Sequence, residues 1–148
     1  MGNEIRVAIT ADVDIVAARA EGRALATRLG FSRTDATLIA TAISEVGRNI
    51  LVHAGDGEIT LAQETASDRT GLVVVARDRG PGIPDVGRAM TDGYGTQNGL
   101  GMGLPGARRL MDDFAIETEV GRGTTVTMRK WQPREPLFRQ RETRAANG

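Results

Sequence analysis

The chain predicts an α+β domain. Two long runs of helical spacing stand together after one isolated strand. Later strands come in neighbouring pairs joined by short polar links, not singly between helices. A glycine-dense connection then leads into one further helix before the last strand pair. In order, residues 4–10 (EIRVAIT) alternate polar and apolar and read as a strand. Asp12 or Asp14 is placed to cap a helix over 13–29, stopped by Gly30. Ser32 opens a second helix, with Asp35 as an imperfect capping box, and this helix runs to about His53. Its core stripe is Ile39, Ile43, Val46 and Ile50, and Gly55 and Gly57 mark its end. Strands are expected at 57–65 and 71–78, joined by ASDRTG. A short helix near 85–91 interrupts the glycine-rich stretch. Leu104, Ala107, Leu110 and Met111 restore helical spacing over 103–113, and strands at 114–120 and 124–131 close the domain around GRGT. The arginine-rich tail 132–148 has few apolar residues and reads as flexible or as a docking extension.

A length of 148 residues suits one core, expected to span residues 1–131. The net charge of zero gives no global attraction to nucleic acid or to an anionic membrane. There is no apolar run near the roughly 18 residues of a membrane span, and the first residues carry no signal-peptide pattern. With no cysteine, disulfides and thiolate metal sites are excluded. A cytoplasmic protein that binds neither nucleic acid nor membrane is the expectation. Lys130 is the single lysine and lies beside no glycine cluster, which excludes a Walker-type phosphate loop.

Three places carry chemistry. Glu45 and Asn49 lie one turn apart, at the rim of the isoleucine stripe. An amide oxygen suits Mg²⁺, and a carboxylate beside it can orient a water or take a proton from a hydroxyl. ExxxN alone is common as a solvated helical pair. Asp78 ends the apolar strand LVVVARD and precedes Gly80 and Gly82. There a carboxylate can accept from an exocyclic amine such as that of adenine, although DxGxG is equally a plain turn. Gly101, Gly103 and Gly106 match GxGxxG, but loop residues precede them, where a dinucleotide fingerprint needs a buried strand. The remaining reading is a loop whose amides meet phosphate at a helix N-terminus. His53 reads as a partly buried helix-end residue, Arg108 and Arg109 as a solvated face, and Trp131 as closing the core or an interface.

In the order ExxxN, DxGxG, GxGxG before a helix and GxGT, from residue 45 to residue 124, the chain resembles the GHKL ATPase/kinase superfamily. That resemblance implies the Bergerat ATP-binding fold: a two-layer α+β sandwich whose mixed, mostly antiparallel sheet is covered on one face by about three helices. It implies ATP and Mg²⁺ as cofactors, with Asn49 as the Mg²⁺ ligand and Glu45 as base. Asp78, Gly80, Gly82 and Ile83 would form the adenine end, with Thr124 close by. Gly99, Leu100, Gly101, Met102, Gly103 and Leu104 would supply phosphate and lid contacts. DVDIVAAR (12–19), TAISEVGRNI (41–50), DRGPGIPD (78–85) and MTDGYGTQNGLGMGLPGARRLMDDF (90–114) look most like the RsbT-type switch kinases of bacterial stress signalling.

Such kinases phosphorylate serine or threonine on a STAS-domain antagonist. Once released, they act on a PP2C-type phosphatase or another effector. The alternative from the same resemblance is an ATP-dependent anti-sigma or partner-binding module that sequesters its partner with little kinase activity. A sensor histidine kinase fragment fits less well, because dimerisation helices and a phospho-acceptor segment are missing. Two features depart from the pattern. Gly47 lies inside the helix bearing Glu45 and Asn49, at a cost of about 1 kcal/mol relative to alanine, and the tail is longer than usual.

Overall fold

The computed structural model describes residues 4–91 and 103–133. Gly99, Leu100, Gly101, Met102 and the tail from residue 134 lie outside the described residues. The elements are β1 (Ile5–Ile9), α1 (Asp12–Arg28), α2 (Arg33–His53), β2 (Gly57–Ala66), β3 (Arg69–Asp78), α3 (Val86–Ala89), α4 (Gly103–Leu110), β4 (Asp113–Glu119) and β5 (Gly123–Trp131).

The five strands form one sheet in the order β1-β2-β3-β5-β4, and each neighbouring pair is antiparallel. The parallel component of a mixed sheet is therefore absent among the described strands. β3 and β4 do run in the same direction, but β5 lies between them and pairs with both. At the other edge, a helical pair joins β1 to β2 instead of the single crossover helix that would make them parallel.

Alternation sets the buried face. Ile59, Leu61, Leu72, Val74, Ala76, Val126 and Met128 are all buried, and register sets Leu61 opposite Val74 and Val74 opposite Met128. The expected stripe Ile39, Ile43, Val46 and Ile50 on α2 is buried in the same core. Leu25 of α1 and Leu104 and Ala107 of α4 join it. One helical layer on one sheet face is thus the two-layer arrangement expected.

Two glycines bring α1 and α2 close. A Cβ at Gly22 would stand 2.1 Å from Ile43 Cδ1, and one at Gly47 would stand 3.0 Å from Ile15 Cγ1. Gly47 therefore offsets its poor helix propensity by making room for Ile15 of the neighbouring helix. Ser32 caps α2 as expected, its Oγ accepting from the Asp35 N–H at 3.0 Å. At α1 the cap position is Ala11, and Asp14 reaches back. Its Oδ2 accepts from the N–H of Thr10 at 2.8 Å, the Thr10 hydroxyl at 2.8 Å and the Ala11 N–H at 3.1 Å.

These bonds, led by the Thr10 backbone N–H, hold the Asp14 carboxyl below the usual carboxylate range. Because the folded value is the lower one, this support is fully present above the unfolded pKa of about 3.9 and is lost as pH falls through the folded value. Asp14→Asn is accordingly expected to be less stable than the parent at neutral pH. The gap should close in strong acid, as read from urea midpoints at both pH values.

Several boundaries differ from the sequence expectation: most by a single residue, while the short helix expected near 85–91 is only Val86–Ala89, and two other shifts have a visible cause. β3 starts at Arg69, because Ala66 pairs with Arg69 and leaves only Ser67 and Asp68 to turn. α4 ends at Leu110 and not at 113. There Lys130 Nζ donates to the Leu110 carbonyl at 2.9 Å, a cation on a helix C-terminus, and the Asp112 N–H already donates to Arg129 O at 2.9 Å. Trp131 covers Gly71, with the Arg69 guanidinium 4.5 Å from its ring centre and its indole N–H on Asp113 at 2.9 Å.

Candidate functional site

The site lies along the C-terminal half of α2. Glu45 is only 7% exposed, beside the stripe residue Val46, and Asn49 is half-buried one turn later. Glu45 Oε1 accepts from Arg48 Nη1 at 3.1 Å and from the Gly103 backbone N–H at 3.0 Å. Gly103 opens α4, so the carboxylate sits where unsatisfied amides and the helix dipole favour negative charge. Among the described residues, the Asn49 carboxamide has no hydrogen-bond partner, so its oxygen is available to a ligand.

Past Asn49, at the C-terminal cap of the same helix, a Cβ on Gly80 would stand 2.5 Å from Ala54 Cβ, so the DRGPG loop rests on the α2 cap. Glu45 and Ala54 are about 14 Å apart along the helix axis at 1.5 Å per residue.

Asp78 is 8% exposed and Thr124 5%, and register sets them opposite each other on β3 and β5. Asp78 Oδ1 accepts from the Gly80 N–H at 2.9 Å, which folds the loop back over the strand end. Gly82, at φ +79°, passes so close to β4 that a Cβ would stand 2.5 Å from Glu119 O. The Gly121 N–H closes the same junction by donating to Pro81 O at 2.8 Å.

Thr118 ties these parts together. Its hydroxyl accepts from the Ile83 N–H at 2.9 Å, lies 2.9 Å from the Thr124 hydroxyl and donates toward Gly123 O at 3.2 Å. Thr118→Val keeps the shape and removes all three contacts. Nucleotide affinity is expected to fall by roughly 10-fold, the equivalent of about one net hydrogen bond, with secondary structure intact. Equilibrium nucleotide binding checked beside circular dichroism would show it.

The predicted residues thus fall into two groups. Glu45, Asn49 and Gly103 gather at one end, and Asp78, Gly80, Gly82 and Thr124 at the other. Ile83 and Leu104 are buried members of the apolar core, so their side chains pack beneath the site. His53 is the half-buried last residue of α2, and Arg108 and Arg109 are exposed, as expected.

Sequence reasoning missed Thr118, Arg48 and Ala54. Thr118 had a signal, being the polar residue in the inward row Phe114, Ile116, Thr118 of β4. Arg48 had one as well, an i,i+3 partner of Glu45. Ala54 had none. Chemically, one end offers a buried carboxylate and hydroxyl to an amine-bearing ring. The other offers an amide oxygen, a backbone-held carboxylate and a helix N-terminus to phosphate and an attacking hydroxyl.

Comparison with known proteins bears on the chain as a whole. The model of the histidine kinase-like ATPase domain matches residues 9–130. The serine/threonine-protein kinase RsbT of Bacillus subtilis (strain 168) is 47% identical over 131 residues, covering 88% of this chain and 98% of that protein. The anti-sigma F factor of Geobacillus stearothermophilus is 30% identical over 118 residues, covering 76% of this chain and 81% of its own. Among solved structures, the nucleotide-free catalytic domain of histidine kinase ThkA aligns over 85% of this chain and 95% of that one, at 14% identity and a TM-score of 0.48.

Proposed function

The chain belongs to the histidine kinase-like ATPase domain family, and we propose that it is an ATP-dependent serine/threonine kinase of a partner-switching pathway. The observation that carries this reading is Glu45, a buried carboxylate held on the α4 N-terminus one turn from Asn49. Likeness over nearly the full length of a serine/threonine kinase supports it.

The adenine ring lies at the Asp78 end. Asp78 accepts from the exocyclic amine, Thr124 meets the ring edge, and Gly80 and Gly82 let backbone approach its face. The α2 axis from Ala54 to Glu45 then carries the nucleotide toward the α4 N-terminus, where the Gly103 end meets phosphate. Asn49 fits Mg²⁺ as a single oxygen ligand. Among the described residues no three acidic or imidazole side chains converge on a cage, and Mg²⁺ commonly takes few protein ligands beside phosphates. When bound, the ion neutralises phosphate charge.

Phosphoryl transfer then asks the protein for positioning and a proton acceptor more than for covalent chemistry. Glu45 accepts the proton of the attacking serine or threonine hydroxyl. Residues 1–131 form the kinase domain. Gly99, Leu100, Gly101 and Met102 supply further phosphate contacts, and 132–148 is an appendage.

The substrate is a STAS-domain antagonist, and a PP2C-type phosphatase or similar effector receives the released kinase in the cytoplasm. Among the described residues, no helix is long and apolar enough to cross a membrane.

The test is intact-mass analysis of a STAS-domain protein encoded beside this chain, incubated with the chain and Mg-ATP. A gain of one phosphate that Asn49→Ala abolishes is the expected result. An unmodified partner that nevertheless binds only with ATP present would replace the kinase with a sequestering module, the behaviour suggested by the anti-sigma F likeness.

A further inference from the structure

Resting on the kinase reading above, we propose that Arg48 is the positioning residue that orients Glu45 for the acceptor hydroxyl. Both donors to Glu45 fall on the same oxygen. Arg48 Nη1 lies 3.1 Å and the Gly103 N–H 3.0 Å from Oε1, and Oε2 has no donor among the described residues. A carboxylate held at one oxygen by two donors from different directions cannot swing freely. Its other oxygen keeps its lone pairs for an incoming proton. One donor is backbone and cannot be exchanged by substitution, so Arg48 is the side chain through which orientation is set.

Its surroundings favour that role over a structural one. The Arg48 side chain is 52% exposed, and a half-exposed ion pair within one helix contributes little to stability. Lys130, the single lysine, is engaged at the opposite end of α4, on Leu110 O and 3.8 Å from Asp112. Arg19 stands next to the site but bonds Ser44, 3.3 Å from its hydroxyl, and not the carboxylate. Among the described residues, Arg48 is thus the cation in contact with the base. It is placed at i,i+3 so that the two side chains meet over one turn of α2.

The experiment compares Arg48→Ala and Arg48→Lys, each alone and combined with Glu45→Gln. Single-turnover transfer to the STAS-domain protein at saturating Mg-ATP is read beside binding of a fluorescent ATP analogue and thermal melting. Arg48→Ala should slow transfer roughly 10- to 100-fold, with nucleotide affinity and melting unchanged, as expected for a misdirected group. Arg48→Lys should recover much of the rate, since an ammonium can still donate to Oε1. In the Glu45→Gln background, Arg48→Ala should add no further loss, because both changes act through one carboxylate.

Full activity in Arg48→Ala overturns the proposal. So does an equal additional loss in the Glu45→Gln background, or a fall in melting temperature that accounts for the rate. An active wild type with an unaffected Arg48→Ala sinks this role alone. A wild type that binds ATP and transfers nothing overturns the kinase reading, and the role of Arg48 with it.

Discussion

Gly123→Ala is expected to destabilise the protein by about 3 kcal/mol or more, by combining backbone strain with overpacking. Gly123 sits at φ +117°, a conformation that L side chains rarely adopt, and a Cβ there would stand 2.1 Å from Asp78 O and 2.8 Å from Arg79 Cα. Both neighbours are backbone, so no rotamer change can relieve the contact. Relief requires moving β5 away from the end of β3, where Asp78 pairs with Thr124. Thermal melting should fall by roughly 10 °C, and nucleotide binding should weaken even where the variant still folds.

Gly121→Ala is the control. Gly121 also has positive φ, at +85°, but a Cβ there would meet nothing within 4 Å. Its cost should stay near the conformational penalty of about 1 kcal/mol. Equal melting of the two variants would mean that the close approach of strand β5 to Asp78 does not exist.

Glu45→Gln is expected to lower phosphotransfer by about 100-fold or more while leaving ATP affinity nearly intact, the usual scale for loss of a general base. The substitution is nearly isosteric. Its amide oxygen can still accept from the Gly103 N–H and from Arg48, so the contacts that dock α4 on α2 are retained. What disappears is the ability to take a proton. Rates at saturating Mg-ATP, with nucleotide affinity measured separately, divide the two effects. A variant that transfers phosphate as fast as the parent would end the base assignment and leave Glu45 as a docking contact for α4.

Much of the fold was legible because its signals are local. The helical spacing of Ile39, Ile43, Val46 and Ile50 announced both the helix and its buried face, and all four are 1% exposed or less. Alternation marked β2 and β3, Ser32 marked the start of α2, and Gly30, at φ +93°, marked the end of α1. The motifs likewise named Glu45, Asn49, Asp78, Gly80, Gly82 and Thr124 as residues belonging near one another. Amino-acid types at fixed spacing restrict backbone dihedrals and decide which side chains leave water. Those restrictions act within a few residues of their source.

The tertiary structure alone decided which distant groups meet. The Glu45 carboxylate is joined to the amide of Gly103, 58 positions away, and Thr118 to the amide of Ile83, 35 positions away. β5 between β3 and β4 makes antiparallel a sheet that the family resemblance described as mixed. Gly47, costly by local propensity, makes room for Ile15 across the helix pair. Each of these depends on two surfaces being buried against each other. Backbone groups in such places must find partners inside the protein, so which atoms pair is settled only when the layers close.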